Sequence, residues 1–514
     1  MENKPLVESG GASASSACAN APTSSSPAPE KPLKLNTKRT VFIGLAFFGI
    51  LLLWGIYNSY CGNFLTYLFA EQMFGLPSAE LNKAINADKL LQVQWLVGII
   101  MALDNIAALF LMPIFGNLSD KKKSKFGRRM PFIIVGTIVS AIALPFIPVF
   151  FNMGIQNNND VMAITGVICT MVIVLCFMMM YRSPAVALMP DMTPKPLRSR
   201  ANGIINIIGY FGGAVAVVFG IFLPFSAYVS KGEAHPEAYH NFWWIEIPFI
   251  VASVILLISL GVLLWKVKEN KVAAEMKDEM ARGDKMSETV DLANDDAPMS
   301  KQNKRNLLLI LAAEVLWFMS FNAIETFLGN YVMFYLDCSS SAKSFVDLLN
   351  GAVAAITFMV AGLIAEKIGR KKTILLGLGV VTIAYLLFCF VPTGVTGDLT
   401  FAGKSVPWVL YVVFGLAGIG SSLIHNNSFP MVVDFCNSKK IGKFTSYYYA
   451  ASMIAQSVTP VAVGAIFFQT GQWRALPIYS CILMGAAFVI FFFVKAPVKA
   501  KGVSKKGLEA LDVA

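Results

Sequence analysis

Charge is what this chain has least of. Only 14% of its 514 residues are Asp, Glu, Lys or Arg, whereas 56% are hydrophobic and the mean hydropathy is +0.62. A water-soluble fold of this length could not hide so much apolar surface, but a lipid bilayer is itself an apolar solvent. Paired cysteines are missing as well. The eight cysteines are scattered, with no Cys-x-x-Cys, no Cys/His spacing suited to zinc and no set placed for disulfides. No nucleophile–base or metal-ligating constellation stands out. The glycines of "GYFGGAVAVVFG" (209–220) lack the strand and Lys-Ser/Thr that a phosphate loop requires. Neither an enzyme nor a resident cofactor is expected. An early apolar core is also absent from residues 1–40, which are rich in Ser, Ala and Pro. They read as a disordered cytoplasmic tail rather than a cleaved leader.

Long apolar runs are abundant. Windows of about 20 apolar residues recur near 41–68, 92–115, 131–150, 161–181, 203–228 and 245–266, then near 306–334, 346–366, 373–392, 407–429, 446–469 and 476–495. They predict an all-α integral membrane protein with twelve transmembrane helices. Residues 267–303, highly charged and expected to be helical through about 284, separate a six-helix bundle (41–266) from a second (304–496), with a short tail at 497–514.

The net charge of +11 does not point to nucleic acid, because its distribution records orientation instead. Lys121, Lys122, Lys123, Lys125, Arg128 and Arg129 follow the second span, and Lys195, Arg198 and Arg200 the fourth. Lys367, Arg370, Lys371 and Lys372 follow the eighth, and Lys439, Lys440 and Lys443 the tenth. Loops after odd-numbered spans carry acids instead. The excess of cations on one side predicts that both termini are cytoplasmic, in a cell membrane, taken as a bacterial inner membrane. A monomer is expected.

The two halves repeat one another. "GNLSDKKKSKFGRR" (116–129) and "GLIAEKIGRKK" (362–372) each give a Gly, an acid four residues on (Asp120, Glu366) and a Gly-Arg. At a constant offset of 243, residues 181–203 lie over 424–446, placing Asp191 on Asp434 and Arg182 on His425. These loops resemble the signature of the major facilitator superfamily. The insertion in the first copy, its continuation "FGRRMPF" and the later "SPAVALMPD" are similar to the glycoside–pentoside–hexuronide cation symporters and the sucrose-carrier group. The resemblance covers about residues 40–495. It implies two pseudo-symmetric six-helix bundles around a central cavity, and a sugar carried with a cation. The acids and arginines of the loops (Asp120, Arg128, Arg129, Asp191, Glu366, Arg370 and Asp434) are expected to act in gating. A carboxylate facing cations of the next helix can bind in one conformation and release in another.

Polar groups at membrane depth are the remaining candidates. Asp104 and Asn105 interrupt "IIMALDNIAALFLMPIF" (99–115) near mid-bilayer. An ionised carboxylate there costs about 2.5–3.5 kcal/mol, so Asp104 should face a cavity or a partner, and an arriving ion could neutralise it. The melibiose-type carriers of the resembled family place paired aspartates nearer the Pro113–Gly116 turn, where this chain has Ala108 and Met112. A lone Asp beside Asn105 favours H+ over Na+. In the seventh span Glu314, Phe321 and Glu325 fall on nearly one line, with Trp317 and Asn322 toward the same side. A carboxylate beside an aromatic ring suits a sugar. Glu325 is the better sugar ligand, and Glu314 could be a second cation-coupling group or a partner for Arg182. Tyr57 and Asn58 offer hydroxyl and amide groups in the first span. Asn105, Arg182, His425 and Gln456 are further candidate substrate contacts, and for Arg182 snorkelling to the interface is an equal alternative.

The expected function is import of a glycoside, a disaccharide or small oligosaccharide, by symport with H+. The alternatives are a proton-coupled carrier or exporter of a non-sugar solute, and a non-transporting membrane sugar sensor.

Overall fold

A computed structural model describes residues 33–75, 86–157, 160–226, 244–283, 301–392, 398–401, 404–434 and 441–495. Most of the first expected tail, all of the second and residues 284–300 of the expected linker lie outside the described residues. Among the described residues, twelve helices are long and apolar enough to cross a membrane. The first six are Thr37–Phe74, Gln94–Lys121, Met130–Gly154, Val161–Asp191, Arg200–Phe222 and Ile247–Lys266, the last followed by a short helix, Glu269–Glu275. The second six are Lys301–Tyr335, Ser341–Ile368, Arg370–Cys389, Trp408–Val432, Ser446–Thr470 and Ala475–Phe492.

Several helices outrun their apolar windows. The first has 38 residues, about 57 Å at 1.5 Å per residue, whereas a bilayer core needs about 30 Å. Its extra turns have polar ends that a hydropathy window discards. Asn36 caps its start, with Oδ1 accepting the Arg39 N–H at 3.1 Å. Gly75 ends it in the left-handed region at φ 59°, with its N–H donating to the Glu71 carbonyl at 2.8 Å. The third span bends at Leu144–Pro145, where proline has no N–H to give the helix. A two-stranded hairpin, Asp398–Phe401 with Lys404–Pro407, joins the ninth and tenth spans.

The packing repeats between halves. In the first, spans one and six, two and four, and three and four lie together; in the second, seven and twelve, eight and ten, and nine and ten. The bundles meet through spans two and eleven and, at the symmetric place, five and eight. Small residues permit the close approaches: Gly212 lies against the Phe48 backbone and Gly420 against Gly377. This is the two-bundle, twelve-helix architecture expected.

Twelve crossings put the first and last helix ends on one side, the terminal side. Bonds crossing between the bundles lie at mid-depth and toward the far side. Buried Asn330, at the far end of span seven, donates to Thr66 Oγ1 at 3.0 Å and to Gln94 Oε1 at 2.9 Å. Ser226 and Ser339 share a hydroxyl hydrogen bond at 2.9 Å, and Trp473 Nε1 donates to the Ala87 carbonyl at 3.4 Å. The two halves are thus joined at mid-depth and on the far side.

Candidate functional site

At mid-depth one bond joins the bundles: Asn58 Nδ2 donates to Glu325 Oε1 at 3.1 Å. Glu325 is exposed although it sits well inside a membrane helix, because it opens onto the space between the bundles. Asp104 lies nearby and is buried. It accepts hydrogen bonds from the backbone N–H of Asn105 and, at 2.6 Å, from the Asn105 side-chain amide. No cation lies within ion-pair distance of Asp104 among the described residues. The fields of Arg182 and Glu325 nevertheless reach Asp104, whose own field reaches the Tyr57 hydroxyl. Tyr57 is fully buried and its hydroxyl has no hydrogen-bond partner among the described residues.

Arg182 does not sit at the membrane interface. Its helix runs on to Asp191, so the guanidinium starts about 13 Å inside the helix end. It faces the Trp54 ring, 5.8 Å from the centroid, a cation–π contact. Depth and an aromatic partner correct the snorkelling alternative.

The seventh helix divides its candidates. Glu314 is fully buried with neither carboxylate oxygen hydrogen-bonded among the described residues, and its field reaches Tyr448 and Tyr449 of span eleven. Trp317 is also fully buried and packs on Phe491 of span twelve, 6.3 Å between ring centroids. It therefore lines the second bundle's core, not the sugar-facing side expected of it. Asn322 is buried, and its side-chain carbonyl oxygen has no partner among the described residues. Phe318 and Phe321 hold the His425 ring between them, each 5.4 Å away, and His425 Nδ1 bonds the Ser421 carbonyl at 2.8 Å. Gln456 donates to its own helix, at Ser452 O, 3.2 Å. Tyr448, within a run suggestive of an interfacial belt, is instead buried and shares a 2.8 Å hydrogen bond with Ser428.

Two charged residues escaped the sequence reading. Lys343 and Asp347 form an ion pair of 2.6 Å in the eighth helix, and the fields of both reach Glu325. The apolar window for this span began at 346, which left Lys343 outside it. A Lys-x-x-x-Asp spacing adjoining an apolar run was the available signal.

The signature loop of the first half is assembled. Arg129 pairs with Asp120 and, at 2.9 Å, with Asp191; Arg128 reaches Asp191 at 2.7 Å. Glu269, from the short helix after span six, completes it. Its carboxylate accepts the backbone N–H groups of Arg128, Arg129 and Met130 at 3.0–3.1 Å, capping the third span. Gly127, at φ 117°, lies so close that any Cβ would strike that carboxylate. Apart from Glu269, at the start of the linker, all these groups belong to one bundle, so here the loop is a staple within a half and not a bridge between halves. In the second half Glu366 is exposed and has no ion pair among the described residues, while Arg370 donates to the Pro430 carbonyl at 3.4 Å. Asp434 ends its helix, and its side chain lies outside the described residues.

Two six-helix bundles in pseudo-symmetry, with polar groups meeting between them at mid-depth, define a helical membrane carrier. The chain belongs to the Major Facilitator Superfamily, whose model matches residues 9–217, 72–402 and 310–512. It is thus a multi-pass membrane transporter, with weak similarity to sugar carriers. Lactose permease of Leuconostoc lactis is 23% identical over 220 residues, 41% of this chain and 32% of that protein. Sucrose transport protein SUC3 of Arabidopsis thaliana is 29% identical over 127 residues, 21% of each. The chain therefore spans about a third and a fifth of the length of these relatives. Among solved structures, the inward open xylose transporter XylE from E. coli superposes with a TM-score of 0.60 at 15% identity, covering 92% of this chain and 98% of that one. An inward-facing bacterial homologue of ferroportin gives 0.59 at 14% identity, covering 89% and 99%. The peptide transporter POT gives 0.57 at 14%, covering 89% and 93%. At these identities the likeness is one of fold.

Proposed function

We propose that this transporter imports a glycoside, a disaccharide or small oligosaccharide, by symport with H+ through alternating access. The terminal side is then the cytoplasm and the conformation described is inward-facing. The chain sits in a cell membrane as a monomer. The observation that carries the coupling is the state of Asp104. It is a carboxylate buried at mid-depth, bonded to its neighbour's amide and paired with no fixed cation among the described residues. Such a group is tolerable when a proton neutralises it and costly when the proton leaves. Arg182 supplies a nearby positive field, so proton loss toward the open side is the step it assists.

Sugar as cargo is supported by the two curated relatives and by the chemistry between the bundles. Glu325 and Asn58 offer an acceptor and a donor to hydroxyl groups. Phe318 and Phe321 of the helix that carries Glu325, with His425 of the tenth span, form an aromatic cluster one to two turns from Glu325. A sugar arriving between Asn58 and Glu325 replaces their mutual bond with bonds to itself. Occupancy is thereby coupled to the meeting of the two bundles. Uptake of labelled lactose, sucrose and other glycosides into vesicles carrying the full chain tests the reading. Accumulation that needs an inward pH gradient supports it. Glycosides that neither bind nor enter would overturn the sugar reading, and accumulation indifferent to the gradient would overturn the proton.

A further inference from the structure

We propose that Lys343 and Asp347 form a diol-binding subsite that sets sugar specificity, a reading that rests on the proposed sugar transport. The two residues lie one turn apart on the eighth helix with Nζ and Oδ2 2.6 Å apart. A pair within one helix ties no second element in place, and as an i,i+4 contact it adds little stability. Only the ammonium is withdrawn from most of the water, its side chain 11% exposed, and a contact of this kind returns little of that cost. Packing alone thus gives no reason for a buried lysine beside a part-exposed aspartate in the first turns of this helix.

Their placement supplies one. On the same helix Asn350 and Ala354 meet Gly418 of the tenth span, and Ser344 meets Gly220 of the fifth. At about 100° per residue, Asp347 points between those two contacts, hence toward the interior and away from lipid. Its side chain stays 36% exposed and Oδ1 has no hydrogen-bond partner among the described residues, so one oxygen is held by Lys343 and the other is open. The lysine stem runs beside Gly329, one turn beyond Glu325 on the seventh helix, and the fields of both Lys343 and Asp347 reach Glu325. An ammonium with protons to spare next to a carboxylate with a free oxygen matches two neighbouring hydroxyls of a sugar, one accepting and one donating. Glu325 and Asn58 would then hold an adjacent part of the same molecule.

The experiment uses the full chain in proteoliposomes and a glycoside panel including lactose and sucrose. The tightest-binding member is then compared with its monodeoxy forms. In the wild type, removing one hydroxyl of the contacted pair should weaken binding about tenfold to a hundredfold. In Asp347→Asn the parent sugar should bind weakly and that same deletion should cost less than about twofold, because its partner is already lost. The neutral pair Lys343→Met with Asp347→Leu, which leaves no charge unpaired, should reach the membrane in normal amounts yet keep the weakened affinity. Wild-type affinity in that double variant, or deoxy penalties unchanged in Asp347→Asn, would overturn the subsite while leaving sugar transport standing. A wild type that binds no member of the panel would overturn both.

Discussion

Closure of the far side depends on two glycines at the crossing of spans two and eleven, and Gly98→Ala is the sharpest test of it. A Cβ built at Gly98 would lie 2.8 Å from the Pro460 carbonyl carbon and closer still to its oxygen, and one at Gly464 would lie 2.6 Å from the Trp95 Cα. Both obstacles are backbone, so no side chain can swing aside and the helices themselves must separate. Forcing an extra methyl into such a contact costs about 1–3 kcal/mol. In a transporter that alternates between two states, the cost falls only on the state in which these helices touch. The ratio of far-closed to far-open molecules should therefore drop roughly 5–150-fold. Spin labels at Asp88, just before span two, and Gln472, just after span eleven, both exposed, would report it as a shift toward longer distances. Distance distributions identical to the wild type in both Gly98→Ala and Gly464→Ala would refute the assignment of this crossing as the far gate.

Other expected outcomes follow from individual side chains. Glu325→Gln keeps an oxygen for Asn58 but removes the charge, so sugar affinity should fall by about tenfold or more with expression unchanged; an unaltered dissociation constant would take Glu325 out of the site. Glu269→Ala removes the cap on three backbone N–H groups and should cost about 1–2 kcal/mol, read as a lower melting temperature of the solubilised protein. Gly127→Ala should lower it as well, since both its φ and its space are unsuitable for a side chain. If both variants melt with the wild type, the staple contributes no stability.

Much of the scaffold was legible because a bilayer imposes a simple rule on sequence. Apolar windows located twelve spans, and the constant offset between Asp191 and Asp434 exposed the duplication. The ends of the helices were not legible. Polar turns beyond Phe69 or Gly116 carry no apolar signal, although the chain stays helical to Phe74 and Lys121. The same blindness left Lys343 outside its span. Within the seventh helix, angular position alone could not separate Trp317 from Glu325, because what a face touches depends on the neighbouring bundle. Glu269 was invisible for another reason: its partners at Arg128 and Arg129 are about 140 residues away in the chain. Asp104 stood out in advance because a carboxylate amid apolar residues needs a reason wherever it lies.

The most direct measurement is proton movement itself. Adding the transported glycoside to proteoliposomes in lightly buffered medium should alkalinise the outside by about one proton per sugar, since one buried carboxylate, Asp104, is proposed to carry the proton. Asp104→Asn, which keeps an oxygen acceptor for the Asn105 amide, should exchange sugar yet move no protons. Sugar entry with no alkalinisation in the wild type, or undiminished proton entry in Asp104→Asn, would contradict the account.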